Sequence, residues 1–145
     1  MQQTDTIVIG AGQAGLAVSH ELSQRGVDHV VLEKGRRGQS WRYRWDTFGL
    51  VTPNWSVQLP GFPYDGEDPD GFMPRDDIVA YLERYAASFG APVRTDTTVG
   101  AVRGGHGSGF VVETAKGVWA ARHLVLAIGA SPKPHSPPGA ATLLP

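Results

Sequence analysis

The chain is 145 residues long, with hydrophobic residues at 41%, charged residues at 19% and a formal net charge of −1. That is the balance of one globular domain, and it excludes disordered, collagen-like and strongly basic nucleic-acid-binding chains. The lack of any cysteine excludes a disulfide scaffold, a thiolate metal site and thiol catalysis within these residues.

Residues 6–9, Thr-Ile-Val-Ile, form a short β-branched run that stops at Gly10. This pattern predicts a buried parallel strand. Ala14, Val18 and Leu22 then recur every four residues, which predicts a helix over 13–25 closed by Gly26. Val30, Val31 and Leu32 make a second buried strand ending at Glu33. Strand, helix and strand at this spacing are a βαβ unit.

Residues 35–75 show neither helical nor strand periodicity, yet they hold Trp41, Tyr43, Trp45, Phe48, Trp55, Phe62, Tyr64 and Phe72. A long aromatic loop either lines a site or packs as a cap. Asp76 or Asp77 is placed to cap a helix whose stripe is Ile78, Tyr81, Leu82, Tyr85 and Phe89, with Gly90 ending it. Residues 93–99 read as a third strand. Residues 99–103, 109–115 and 117–122 read as a small antiparallel meander, and 123–128 as another buried strand ending at Gly129. Five of the eleven prolines fall in residues 131–145, which predicts a linker following a domain at 1–130.

Gly10, Gly12 and Gly15 form G-x-G-x-x-G around Ala11, Gln13 and Ala14, between a strand and a helix. The first glycine permits the tight turn. The second lets the backbone approach a pyrophosphate, and the third lets helix and strand pack closely. The helix N-terminus offers free N–H groups to the phosphates. Glu33 follows at the end of the second strand, where a carboxylate accepts ribose hydroxyls. The fold class is therefore α/β, a Rossmann-like FAD/NAD(P)-binding domain: a parallel sheet with flanking helices plus a small antiparallel meander. This pattern does not separate NAD from FAD. Glu33 disfavours a 2′-phosphate, while Arg36 and Arg37 offset that charge.

Longer matches narrow the choice. They are residues 6–15 and 29–33, the series Gly-Gln-Ser-Trp-Arg at 38–42, Arg-Trp-Asp at 44–46 and Thr-Pro-Asn-Trp at 52–55, then 59–63, 68–72 and 124–129. With them the chain resembles the FAD-binding N-terminal part of flavin-dependent monooxygenases, the group of flavin-containing and Baeyer–Villiger enzymes. The resemblance implies that residues 10–15 hold the FAD pyrophosphate and Glu33 the adenosine ribose. Ser40 and Trp41 would line the flavin side, with Thr52 and Asn54 near the ring system. Val99 would offer its backbone to adenine, and Gly129 would close over the cofactor. It implies a small-molecule substrate, O₂ and NADPH as partners, with the flavin carrying the chemistry, so no side chain is named as a catalytic acid or base.

Two departures stand out. The last strand reads Ala127-Ile128-Gly129 where relatives carry Ala-Thr-Gly. The second glycine fingerprint, for NADPH, and the closing segment of the FAD domain are missing, so a truncated chain is the expectation. Other readings are a pyridine nucleotide–disulfide reductase relative, disfavoured in its redox-active form by the lack of cysteine, and a non-catalytic dinucleotide-binding remnant. Neither the acidic stretch at 65–71 nor the five histidines have metal-ligand spacing. Interleaved Arg36, Arg37, Arg42 and Arg44 superficially resemble a single-strand nucleic-acid surface, which the near-neutral charge argues against. Lacking a secretory pattern or a run of about 20 apolar residues for a membrane span, the chain is expected to be cytoplasmic.

Overall fold

The computed structural model describes residues 1–105 and 107–129. The proposed linker at 131–145, and the exact end of the domain before it, lie outside the described residues. Strand β1 (Gln2–Ile9) leads through the glycine turn into helix α1 (Gln13–Gln24) and back to β2 (His29–Leu32). A short helix α2 (Gln39–Arg42), a 3₁₀ turn (Asn54–Ser56) and the small hairpin β3 (Gln58–Leu59) and β4 (Phe62–Pro63) follow. Helix α3 (Arg75–Ser88) precedes β5 (Val93–Arg94), β6 (Val99–Gly105), β7 (Gly109–Thr114) and β8 (Gly117–Leu126). The main sheet has the order β5-β2-β1-β8-β7-β6. Its β5, β2, β1 and β8 are parallel, while β8, β7 and β6 pair antiparallel.

Alternation along β1 and β2 divides the core into two layers. Val8 and Val31 face the helices, packing with Leu16 of α1 and with Ile78, Tyr81, Leu82 and Tyr85 of α3. Ile7, Val30 and Leu32 face the other way, onto Val112, Trp119 and Ala121 of the meander. Ile7, Val8 and Val31 are fully buried, and each such side chain contributes roughly 1.5–3 kcal/mol. The Tyr81 hydroxyl donates to the Phe62 carbonyl and accepts the Leu59 N–H at 3.3 Å, tying the hairpin to α3.

Several expectations need correction. The row of Ala14, Val18 and Leu22 does lie on a helix, but the most buried side of α1 is Gly15, Leu16 and Ser19, with Val18 and Leu22 partly buried against the same core. Ala14 is exposed, and Val18 and Leu22 line a shallow outer groove with Pro60. The two strands expected at 117–122 and 123–128 are one, β8, which pairs with β7 on one side and β1 on the other. Its far end is not buried: Leu126 is 63% exposed. The strand expected at 93–99 breaks after Arg94, because Asp96 takes a left-handed conformation (φ 52°). Helix α3 starts after Pro74, and Asp76 and Asp77 sit in its first turn without a side-chain cap, where their charge favours the helix dipole. Among the described residues no helix is long and apolar enough to cross a membrane. Likewise, no group of three or more His, Cys, Asp or Glu side chains could hold a metal ion.

Candidate functional site

The carboxyl ends of the parallel strands are where α/β sheets bind ligands. Gly10 follows β1, Glu33 follows β2, and Gly129 lies just past β8. Gly10 has φ +106°, and a Cβ there would run into the carbonyl of Ala127. A Cβ at Gly15 would overlap the carbonyl oxygen of Gly10. Both glycines are thus demanded by the protein itself.

Gly12 differs. Its φ is −82°, and a Cβ would meet nothing nearer than the Ser40 Oγ at 4.0 Å. No neighbour among the described residues requires glycine at this position. The open space above it adjoins the first turn of α1, where the N–H groups of Gln13, Ala14 and Gly15 have no acceptor among the described residues. That combination of an open backbone and unpaired donors suits a pyrophosphate.

Glu33 is 7% exposed. Its Oε2 accepts the Ala11 N–H at 2.8 Å and its Oε1 accepts the Gly35 N–H at 2.9 Å. A carboxylate has about four acceptor positions, so each oxygen retains capacity for a ribose hydroxyl. The backbone of Glu33 is also pinned, by Arg94 and Thr97. Val99, two residues past Thr97, is half-buried against the meander core. Gly129 has φ +81° and open space where a Cβ would be.

On the other side, Gln13, Trp41, Thr52, Gln58, Tyr81 and Leu82 help line a pocket of about 150 Å³. Three expected residues, Gln13, Trp41 and Thr52, thus meet there. Asn54 does not open onto this pocket. It is 4% exposed, its Nδ2 donates to the Asp68 carbonyl at 2.8 Å, and its Oδ1 accepts the Met73 N–H at 2.6 Å. Its amide is spent holding the loop together.

Of the aromatic residues in this stretch, Phe48, Phe62 and Tyr64 pack against the core, while Tyr43, Trp45, Trp55 and Phe72 are exposed. The arginines of this stretch are largely engaged within the protein. Arg42 pairs with Glu83, and Arg44 lies over the rings of Trp41 and Phe48. Arg75 bridges Asp46 at 2.6 Å and Asp76 at 2.8 Å.

Sequence reasoning missed Gly35 and gave Gly38, the first residue of the matched 38–42 series, no role of its own. The Gly38 N–H donates to the Ala11 carbonyl at 3.0 Å, which docks α2 against the glycine turn. The two glycines flanking Arg36 and Arg37 were the available signal.

A comparison with protein-family models decides the affiliation, because residues 7–142 match the pyridine nucleotide-disulphide oxidoreductase model. The chain belongs to that family. An uncharacterized CzcO-like oxidoreductase of Geobacillus kaustophilus is 39% identical over 96% of this chain and 40% of its own length. The rice indole-3-pyruvate monooxygenase YUCCA1 is 36% identical over 90% of this chain and 33% of its own. Among solved structures, a flavin-containing monooxygenase from Stenotrophomonas maltophilia superposes with a TM-score of 0.84. It is 28% identical, covering 94% of this chain and 42% of that one. The chain thus spans well under half the length of these members of its wider family, and it contributes no cysteine to any disulphide chemistry.

Proposed function

We propose that these residues form the FAD-binding part of an NADPH-dependent flavoprotein monooxygenase. The observation that carries this reading is the open face of Gly12, between the unpaired first turn of α1 and the Glu33 carboxylate. The pyrophosphate would rest on Gly12 and the N–H groups of Gln13, Ala14 and Gly15. Glu33 and Val99 would hold the adenosine, with Gly129 closing the same edge. Ser40, Trp41 and Thr52 would face the flavin, and Asn54 would act through the loop it holds. When bound, FAD supplies the electron transfer and oxygen activation that protein side chains lack. The residues here would bind it, orient it and shield one side from water. NADPH, O₂ and a small-molecule substrate are the proposed partners, in the cytoplasm, where NADPH is produced. Flavin-containing and indole-3-pyruvate monooxygenases among the similar proteins support this choice over a nicotinamide-only module.

The test is calorimetric titration of the purified chain with FAD, FMN and NAD, followed by anaerobic NADPH addition to the FAD-loaded protein. FAD binding with weaker FMN binding is expected, with flavin reduction no faster than for free FAD. Retention of NAD without FAD would overturn the flavin reading. Reduction orders of magnitude faster would reveal a nicotinamide site within these 145 residues.

A further inference from the structure

Three backbone or side-chain contacts hold the glycine turn from different sides. The Gly10 N–H donates to the Leu32 carbonyl at 2.8 Å, and the Ala11 carbonyl accepts the Gly38 N–H at 3.0 Å. The third is the Ala11 N–H to Glu33 Oε2 bond at 2.8 Å. It is the only one of the three made by a side chain. Ala11 is fully buried, so its N–H has no solvent to fall back on, and a buried amide without an acceptor is costly. The other carboxylate oxygen closes onto Gly35 at 2.9 Å, at the start of the segment that carries Gly38. One carboxylate therefore ties both strands of backbone that frame the open Gly12 face.

We propose that Glu33 is a positioning residue for the phosphate-binding turn, setting its shape before any nucleotide arrives, in addition to meeting the ribose. The ribose and nucleotide parts rest on the functional reading above; the tether in the empty protein does not. A turn already fixed by Glu33 spares the nucleotide the cost of ordering it, which is preorganisation. It also couples the two ends of the ADP moiety. A change at the ribose acid should weaken ligands that offer it no hydroxyl.

The experiment has a ligand-free arm and a binding arm. A glutamine has one acceptor oxygen, so Glu33→Gln cannot serve both the Ala11 and Gly35 amides. By NMR, at least one of those amide hydrogens should exchange about tenfold faster than in wild type, the scale of one hydrogen bond to a charged group. In the wild type alone, which needs no folded variant, both amide hydrogens should exchange more slowly than those of Gln13 and Ala14, which have no acceptor among the described residues. In calorimetry, ADP should bind Glu33→Gln more weakly than wild type. With 2′,3′-dideoxy-ADP, which lacks the diol, a loss of about threefold or more should persist. Unchanged exchange in the variant, with wild-type amides no better protected than those of Gln13 and Ala14, would overturn the tether. A dideoxy loss that vanishes would reduce Glu33 to a ribose contact and overturn the preorganisation. If ADP bound neither protein, the functional reading would fail, and the amide measurements would still decide the tether.

Discussion

The glycine turn and the aromatic excursion at 43–72 are built on opposite plans. Around the turn, the Gly10 N–H and both backbone groups of Ala11 and of Glu33 are paired within the chain, while the Gly12 face and the first-turn N–H groups of α1 have no partner among the described residues. The excursion is held by Asn54, by Tyr81 and by the Arg75–Asp46 ion pair. Yet it turns Tyr43, Trp45, Val51, Trp55 and Phe72 outward. The contrast teaches that the glycine turn is preset by contacts within the chain, the Glu33 carboxylate among them, whereas the excursion is held from below and exposes large side chains above.

The contrast is broken most severely by Gly15→Ala. The new Cβ would overlap the Gly10 carbonyl oxygen, a backbone atom that cannot swing aside. Overpacking of this kind costs about 1–3 kcal/mol and more where backbone must move. Urea denaturation should show a loss at or above the top of that range. A loss near zero would mean that helix and turn are not in contact.

Asn54→Ala probes the excursion. It leaves the buried Met73 N–H and the Asp68 carbonyl without their partner, at about 1–3 kcal/mol for an unsatisfied buried group. Hydrogen exchange should speed up across residues 49–74 while ADP affinity stays within about twofold, less than the effect of one ordinary hydrogen bond. A large loss of ADP affinity would show that the two ends are coupled through this loop.

Tyr85 packs against His20 of α1 and Phe62 of the hairpin. Its hydroxyl is buried without a hydrogen-bond partner among the described residues, and burial pushes its pKa up from 10.0 to about 12. The neutral phenol is therefore favoured by folding. That stability is fully present below the ordinary value of 10.0 and is lost as pH rises toward about 12. Tyr85→Phe should remove this alkaline loss and raise stability at neutral pH by about 1 kcal/mol, since no bond is broken. Thermal melts from pH 8 to pH 12 check both. A destabilised variant would mean that the hydroxyl does have a partner.

How much of this was legible follows from what a linear pattern can encode. The β1–α1–β2 unit and Glu33 were readable because an apolar run, three glycines and an acid carry local geometry. Four-residue spacing marked the helix α1 but not its most buried side. Gly15 is inside because a Cβ there would overlap the Gly10 carbonyl oxygen, a contact made by the turn rather than by helical spacing. Strand β8 read as two strands because it changes partners along its length, a property of the sheet rather than of its own residues. Asn54 lay in a matched motif, but its task depends on Asp68 and Met73, which fold back from outside that motif. The Glu33–Ala11 bond spans 22 residues and has no one-dimensional signature.

Gly12 tests the central claim most directly, because no described neighbour needs a glycine there but the proposed ligand does. Gly12→Ala should change stability by less than about 1 kcal/mol, as expected where alanine meets no strain. Gly12→Val, which fills the open face with a branched side chain, should keep the fold by circular dichroism and abolish FAD and ADP binding by calorimetry. A folded Gly12→Val chain that binds both nucleotides as tightly as the wild type would contradict the assignment of the pyrophosphate to this turn.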